Sequence, residues 1–225
     1  MKKAIISAVM AIFAVSFAAN AQQGIKIGPK AGLAASWMPG TTLLGNERVM
    51  PHTSFYAGVS GEYVFANNVV AQMEVLYAGK GHTDRSYSLA DASVVTNKYN
   101  LEIGYVQVPI FGGYKFFDGD MSVMVGPELG FAVLGKAKQT IVDLTGNGKD
   151  IITKKDVREV IRPFNIALAL QVSYEFAMGI GVDAKISYGL NKTFKDNMLN
   201  AYGIDRNDKG HNMTFQLGLF YKFEL

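Results

Sequence analysis

The chain of 225 residues contains no cysteine, which removes disulfides, thiolate nucleophiles and sulfur-ligated metals from any account of it. Beyond its first segment it also lacks any apolar run approaching the roughly 18 residues that a spanning helix needs. Residence in a membrane would therefore have to come from strands. Histidine is scarce: His52, His82 and His211 are the only three. No G-x-S-x-G, H-E-x-x-H or phosphate-cradling loop is present, so no motif supports soluble-enzyme chemistry. Charge of one sign is not in surplus either. Taking Lys2 and Lys3 out of the 22 basic residues leaves 20 against 19 acidic ones, and so near-neutral a chain gives no argument for nucleic acid as a partner.

Those two lysines belong to an address. Lys2 and Lys3 form a positive start, Ala4 to Ala18 is a short apolar core, and Ala19-Asn20-Ala21 is a small-x-small cleavage site. Residues 1–21 are expected to be a signal peptide and residues 22–225 the folded domain.

What the remaining sequence has is alternation. From His211 to Leu225 the odd positions Met213, Phe215, Leu217, Leu219, Tyr221, Phe223 and Leu225 are apolar or aromatic, and most even positions are small or polar. Period two of this kind is a strand with one apolar face. The same pattern predicts strands over residues 25–37, 54–65, 69–79, 98–117, 121–134, 163–176 and 180–191. Between residues 98 and 117 its parity changes: Tyr99, Leu101 and Ile103 are expected outward, then Val106, Val108 and Ile110. A slip of one residue is what a β-bulge produces, and it is placed near Gly104 and Tyr105.

Connections alternate in length. Long loops are expected over residues 38–52, 80–97, 135–161 and 192–210; short turns are expected at Ala66-Asn67-Asn68, Asp118-Gly119-Asp120 and Ala177-Met178-Gly179. Aromatic residues gather at both ends of the apolar faces, and in this register no charged side chain lies on them. A water-soluble barrel would need a charged outside. Alternating loop lengths, aromatic girdles and an uncharged apolar exterior together predict an all-β fold, an eight-stranded antiparallel up-and-down transmembrane β-barrel of the bacterial outer membrane.

Several stretches are also similar to a known family: the opening I-K-I-G-P-K-A-G-L, then Q-M-E-V-L-Y-A-G-K-G, Y-V-Q-V-P-I-F-G-G-Y-K-F, and the closing L-G-L-F-Y-K-F. Together they resemble the outer-membrane β-barrels common in Bacteroidetes, often named porin-family or PorT-like. The resemblance covers the whole mature chain and is most specific from Tyr105 to Pro109. It implies an outer-membrane barrel without a shared activity. Many such barrels end on an aromatic residue, whereas this chain runs Phe223-Glu224-Leu225.

The inward register gathers Lys26, Lys30, Lys115, Lys185 and Lys222 with Glu62, Glu74, Glu102, Glu128, Glu175 and Asp183. An eight-stranded barrel has an interior just wide enough for side chains to fill, and buried charges need partners, so these residues are expected to form a structural ion-pair network. A narrow conductance along the same groups is the alternative. Asp143, Thr145 and Asn147 before Gly148 have the spacing that opens a calcium loop, but position twelve is Lys154 where a carboxylate is required, which favours a polar turn. Lys136, Lys138, Lys149, Lys154, Lys155, Arg158 and Arg162 form a basic cluster, read as a solvated face or an attraction to anionic headgroups.

His52, His82 and His211 all fall at long-loop ends, which makes them candidates for a rim metal or hydrolytic site. Wide strand spacing favours three independent histidines. No cofactor or enzymatic activity is expected. Expected partners are outer-membrane lipid, the barrel-assembly machinery through the C-terminal strand, and an unidentified ligand of the loops; the role is structural or one of interaction.

Overall fold

Alternation that starts at Ile25 continues around the whole molecule. A computed structural model describes residues 24–38, 48–90, 93–143, 151–195 and 211–225. Its strands are β1 (Ile25–Trp37), β2 (Arg48–Val64), β3 (Val69–Ala90), β4 (Ser93–Phe116), β5 (Met121–Asp143), β6 (Ile151–Asp156), β7 (Phe164–Glu175), β8 (Ile180–Gly189), β9 (Met213–Tyr221) and β10 (Phe223–Glu224). All pair antiparallel in one sheet. The sheet closes because β9 returns to β1, with Lys30 opposite Phe220 and Trp37 opposite Met213. β10 continues past Lys222 to pair with Lys26 and Ile27, and β6 pairs only with residues 136–141 of β5. Eight strands therefore make the wall, and closure leaves no open edge between the first and the last of them.

The closing strand behaves as its alternation predicts. In β9 Phe215, Leu217, Leu219 and Tyr221 are exposed while Thr214, Gln216 and Phe220 are buried; β7 shows the same strict alternation, with Leu168 and Leu170 outside and Ala167, Ala169 and Gln171 inside. The three short turns are single 3-10 turns at Ala66–Asn68, Phe117–Gly119 and Ala177–Gly179. Asn67 and Asn68 both take positive φ, a conformation Asn tolerates better than most residues. Every strand descending to this end finishes in a Tyr-x-Phe pair on the outer face. Ring centroids are 4.6 Å apart for Tyr63 and Phe65, 5.0 Å for Tyr114 and Phe116, 5.0 Å for Tyr174 and Phe176, and 6.1 Å for Tyr221 and Phe223.

At the other end the structure corrects the sequence reading. Residues 80–97, expected as a loop, are mostly a hairpin in which β3 runs to Ala90 and β4 starts at Ser93. Between His82 and Ile103 there is no Gly or Pro to break the strands, and Thr, Tyr and Val favour them. β5 likewise continues to Asp143, and β6 returns along it. The register does break between Gly104 and Tyr105, but the extra residue is Val133 on β5, because Gly104 faces Leu134 and Tyr105 faces Ala132. β4 therefore keeps one parity throughout. Leu101 and Ile103, expected outward, are buried on the inner side, and Glu102, expected inward, is exposed on the outer side. Above the lipid the outside of the wall is water, so the apolar side chains turn in.

Candidate functional site

Small residues on the wall leave room for long polar side chains to cross the lumen, and these build two linked ion-pair chains. Near the short turns, Lys222 and Lys115 both reach Glu62, the latter at 2.6 Å. Lys115 also lies 3.6 Å from Glu175, which pairs with Lys26 at 2.7 Å. Midway up, Lys30 pairs with Glu74 at 2.6 Å and with Asp183 at 3.1 Å. Lys185 joins Glu74 at 3.9 Å to Glu128 at 2.9 Å, and Glu128 takes Lys80 at 2.9 Å. Gln72 connects the two chains: its amide donates to Glu74 at 2.7 Å and its carbonyl accepts from Lys222 at 3.3 Å. Gln107 donates to Glu128 and Gln171 accepts from Lys30, each at 2.9 Å. With these side chains buried, such partners offset desolvation that no single pair would cover.

Lys80 is the lumenal cation that the sequence reading left in a loop. Simple continuation of the β3 alternation, with Gln72, Glu74, Leu76 and Ala78 facing in, would have found it. Glu102 takes no part in the network.

Above Glu128 the lumen becomes apolar. Lys80 lies 5.6 Å from the Tyr105 ring, and Tyr105 begins a buried cluster of Leu101, Ile103, Ala132 and Ala137 with Met38, Val157, Val160, Ile161 and Phe194. The last four come from two connecting segments that pair with each other. Ile161 bridges Phe194, Arg162 N–H donates to Thr193 O at 2.8 Å, and Lys195 N–H donates to Val160 O at 2.9 Å. The pair of segments packs as a lid over the inward side chains of β4 and β5.

The outer surface of β5, of β7 through β9 and of β1 and β2 has exposed Val125, Leu168, Leu170, Ile186, Leu217, Leu219, Leu33 and Phe55 over a polar interior of paired charges, a distribution suited to lipid. The sequence profile of the outer membrane protein beta-barrel domain family matches residues 13–195. The chain belongs to that family. It is an outer-membrane barrel, with the short turns at the periplasmic end and the extended hairpins outside.

Among solved structures, this outer-membrane barrel is similar to Ail, the attachment invasion locus protein of Yersinia pestis, determined in complex with the heparin analogue sucrose octasulfate. Identity is 13% and the TM-score 0.43, over 89% of this chain and 100% of Ail. Neisserial surface protein A is 13% identical with a TM-score of 0.40, over 89% and 98% of the two chains. The translocator domain of autotransporter NalP from Neisseria meningitidis is 11% identical with a TM-score of 0.28, over 99% and 96%. No curated protein sequence matches.

The candidate rim residues of this barrel fall in different surroundings. His211 stacks on Tyr188 with centroids 5.8 Å apart, and its Nδ1 lies 2.7 Å from Gly189 O. His52 is half-buried on β2. Pro51 beside it faces His82 across the β2–β3 ladder. Among the described residues no three His, Asp or Glu side chains converge on a metal position. Residues 144–150, which hold most of the calcium-like sequence, and the signal segment 1–21 lie outside the described residues.

One concavity is open to solvent. It has a volume of about 690 Å³ and spans from His52 and Thr83 to Lys154 and Asp156, crossing β4 and β5 on their outer side.

Proposed function

We propose that this barrel is a non-catalytic scaffold that holds its extended hairpins, β3–β4 and β5–β6, outside the cell as an interaction surface. The observation that carries the reading is the filling of the lumen. Two ion-pair chains occupy it from Lys222 to Lys80, and the cluster around Tyr105, Ile161 and Phe194 covers them. A wall kept rigid by so many internal pairs, with strands continuing above the lipid, suits display better than passage. Within the family, the stretches from Tyr105 to Pro109 and from Leu217 to Phe223 support membership of the Bacteroidetes porin-family or PorT-like group. The leader over residues 1–21 would be removed on export, and β9 with β10 would present the chain to the barrel-assembly machinery.

Two measurements test this. Purified barrel in planar bilayers is expected to give no single-channel steps; steady steps that change with Glu128→Gln would replace the scaffold with a conductance. Crosslinkers placed in β3–β4 and β5–β6 are expected to capture a cell-surface or extracellular partner that a hairpin-shortened chain does not. Identical capture by both chains would remove the display role.

A further inference from the structure

Above the bulge at Val133 the outer face of the wall changes from apolar to basic within one step of the ladder. Val106 faces Phe131 and Gly104 faces Leu134, and Phe131, Val133 and Leu134 are exposed where lipid lies. The next rows on the same face are Glu102, Lys136 and Asp156, then Asn100, Lys138 and Lys154, then Lys98, Thr140 and Ile152. Successive same-face residues are about 6.8 Å apart along a strand, or about 5 Å in height at a barrel's tilt. The lysines thus stand roughly 5 to 15 Å above the last lipid-facing side chains, with the lowest rows at the level of the headgroups and Lys98 above them.

These rows line the concavity of about 690 Å³. Four lysines, at 98, 136, 138 and 154, stand there on one face with two carboxylates, Glu102 and Asp156. Among the described residues, Lys98, Lys136, Lys138 and Lys154 form no ion pair with another side chain. Lys138 and Lys154 are moreover direct cross-strand partners, and like charges placed opposite each other destabilise a ladder. An anion held between them would reverse the sign of that contribution.

We propose that this concavity is a binding site for the phosphorylated headgroup of an outer-leaflet glycolipid, with Lys136, Lys138 and Lys154 on its phosphates and Lys98 at its upper edge. Position selects the lipid over a soluble polyanion: the site opens on the outer face of the wall, directly above Phe131 and Leu134, where a headgroup arrives already anchored. Glu102 and Asp156 are suited to accept from sugar hydroxyls beside the phosphates. The site lies apart from the lumen and does not depend on the display role.

The test uses the full-length barrel in detergent, exchanged from mixed micelles containing diphosphoryl lipid A or its fully dephosphorylated form, with retained lipid counted by native mass spectrometry. Wild type is expected to keep at least tenfold more of the diphosphoryl form, and to lose that preference as salt is raised from about 0.1 to 1 M. The triple variant K136Q/K138Q/K154Q is expected to retain both forms equally, with its folded state checked by heat-shifted gel migration. Equal retention of the two lipids by wild type overturns the proposal, as does an unchanged preference in a folded triple variant. Displacement of the lipid by equimolar heparin would assign the site to a soluble sulfated glycan and overturn it too. If the variant does not fold, the wild-type comparison decides alone.

Discussion

Lys80 on β3 meets Glu128 on β5 at 2.9 Å, reaching past the intervening strand β4 through the lumen. Glu128 holds Lys185 at the same distance, so one carboxylate compensates two buried ammonium groups. Replacing it by Ala would strand Lys80 and leave Lys185 only Glu74, at 3.9 Å. Breaking a buried pair from one side costs about 3 to 5 kcal/mol, and Glu128→Ala is expected to lower the temperature of the gel-shift transition sharply. Adding Lys80→Leu and Lys185→Met should recover much of the loss; a triple variant as unstable as the single one would show that the charge pairing is not the cause.

Leu168 and Val125 are about half exposed on the outer face, at the height of the hydrocarbon. An Arg there costs about 2 to 4 kcal/mol near mid-depth. Leu168→Arg should reduce the folded fraction in lipid vesicles, whereas Thr153→Ser, exposed on β6, should leave it unchanged. Equal folding of both variants would mean that this face is not in lipid.

Gly218 and Gly32 face each other across the β1–β9 seam, and the Tyr56 hydroxyl sits directly over Gly218. A Cβ on Gly218 would overlap that hydroxyl and come within 2.7 Å of Ala31 O. Gly218→Ala is expected to cost about 1 to 3 kcal/mol through overpacking. Tyr56→Phe in the same chain removes the nearest clashing atom, and chemical unfolding should show the two changes to be less than additive.

The apolar lid makes a separate prediction. Ile161 is buried against the β4–β5 wall and bridged to Phe194. Ile161→Asp places a charge in that cluster and should loosen residues 157–161. Intact cells carrying the variant are expected to be nicked at Arg158 or Arg162 by added trypsin several times faster than wild type. Unchanged cleavage would mean that the segment is held by its backbone bonds alone.

Where lipid touches the wall, the sequence could be read almost residue by residue. Leu168, Leu217 and Leu219 alternate with polar or small partners because one side is hydrocarbon and the other a crowded polar core, and no other register satisfies both. Outside the membrane that constraint ends. Residues 83–88 are almost all polar in sequence, so no apolar alternation there separates a hairpin from a loop. Leu101 and Ile103 are apolar either way; only the knowledge that water, not lipid, surrounds that level assigns them inward. The change of pattern near Gly104 comes from β4 leaving the lipid and not from a slip in β4; the bulge there belongs to Val133 on β5, which depends on the pairing of two strands and cannot be found on one. The lid was out of reach for the same reason: Phe194 lies next to Ile161 only because two connections fold together. As for the basic concavity, Lys136, Lys138 and Lys154 could be counted in the sequence, but their shared face follows from β6 returning along β5.

The seam between β1 and β9 joins residue 30 to residue 220, nearly the full length of the chain apart. Every other pair of neighbouring wall strands is consecutive along the wall, whereas β1 and β9 must each wait with one row of N–H and C=O groups unpaired until they meet. Pairings so distant in sequence form late and slowly, and an open edge is an invitation to any passing strand. Crowding at Gly28 or Gly32, whose Cβ atoms would press on the backbone of β9 and Lys222, is therefore expected to show first as a lengthened delay before closure, with a larger share of chains trapped in aggregates on the way. Time to the finished ring, more than its endurance once closed, is the quantity this seam controls.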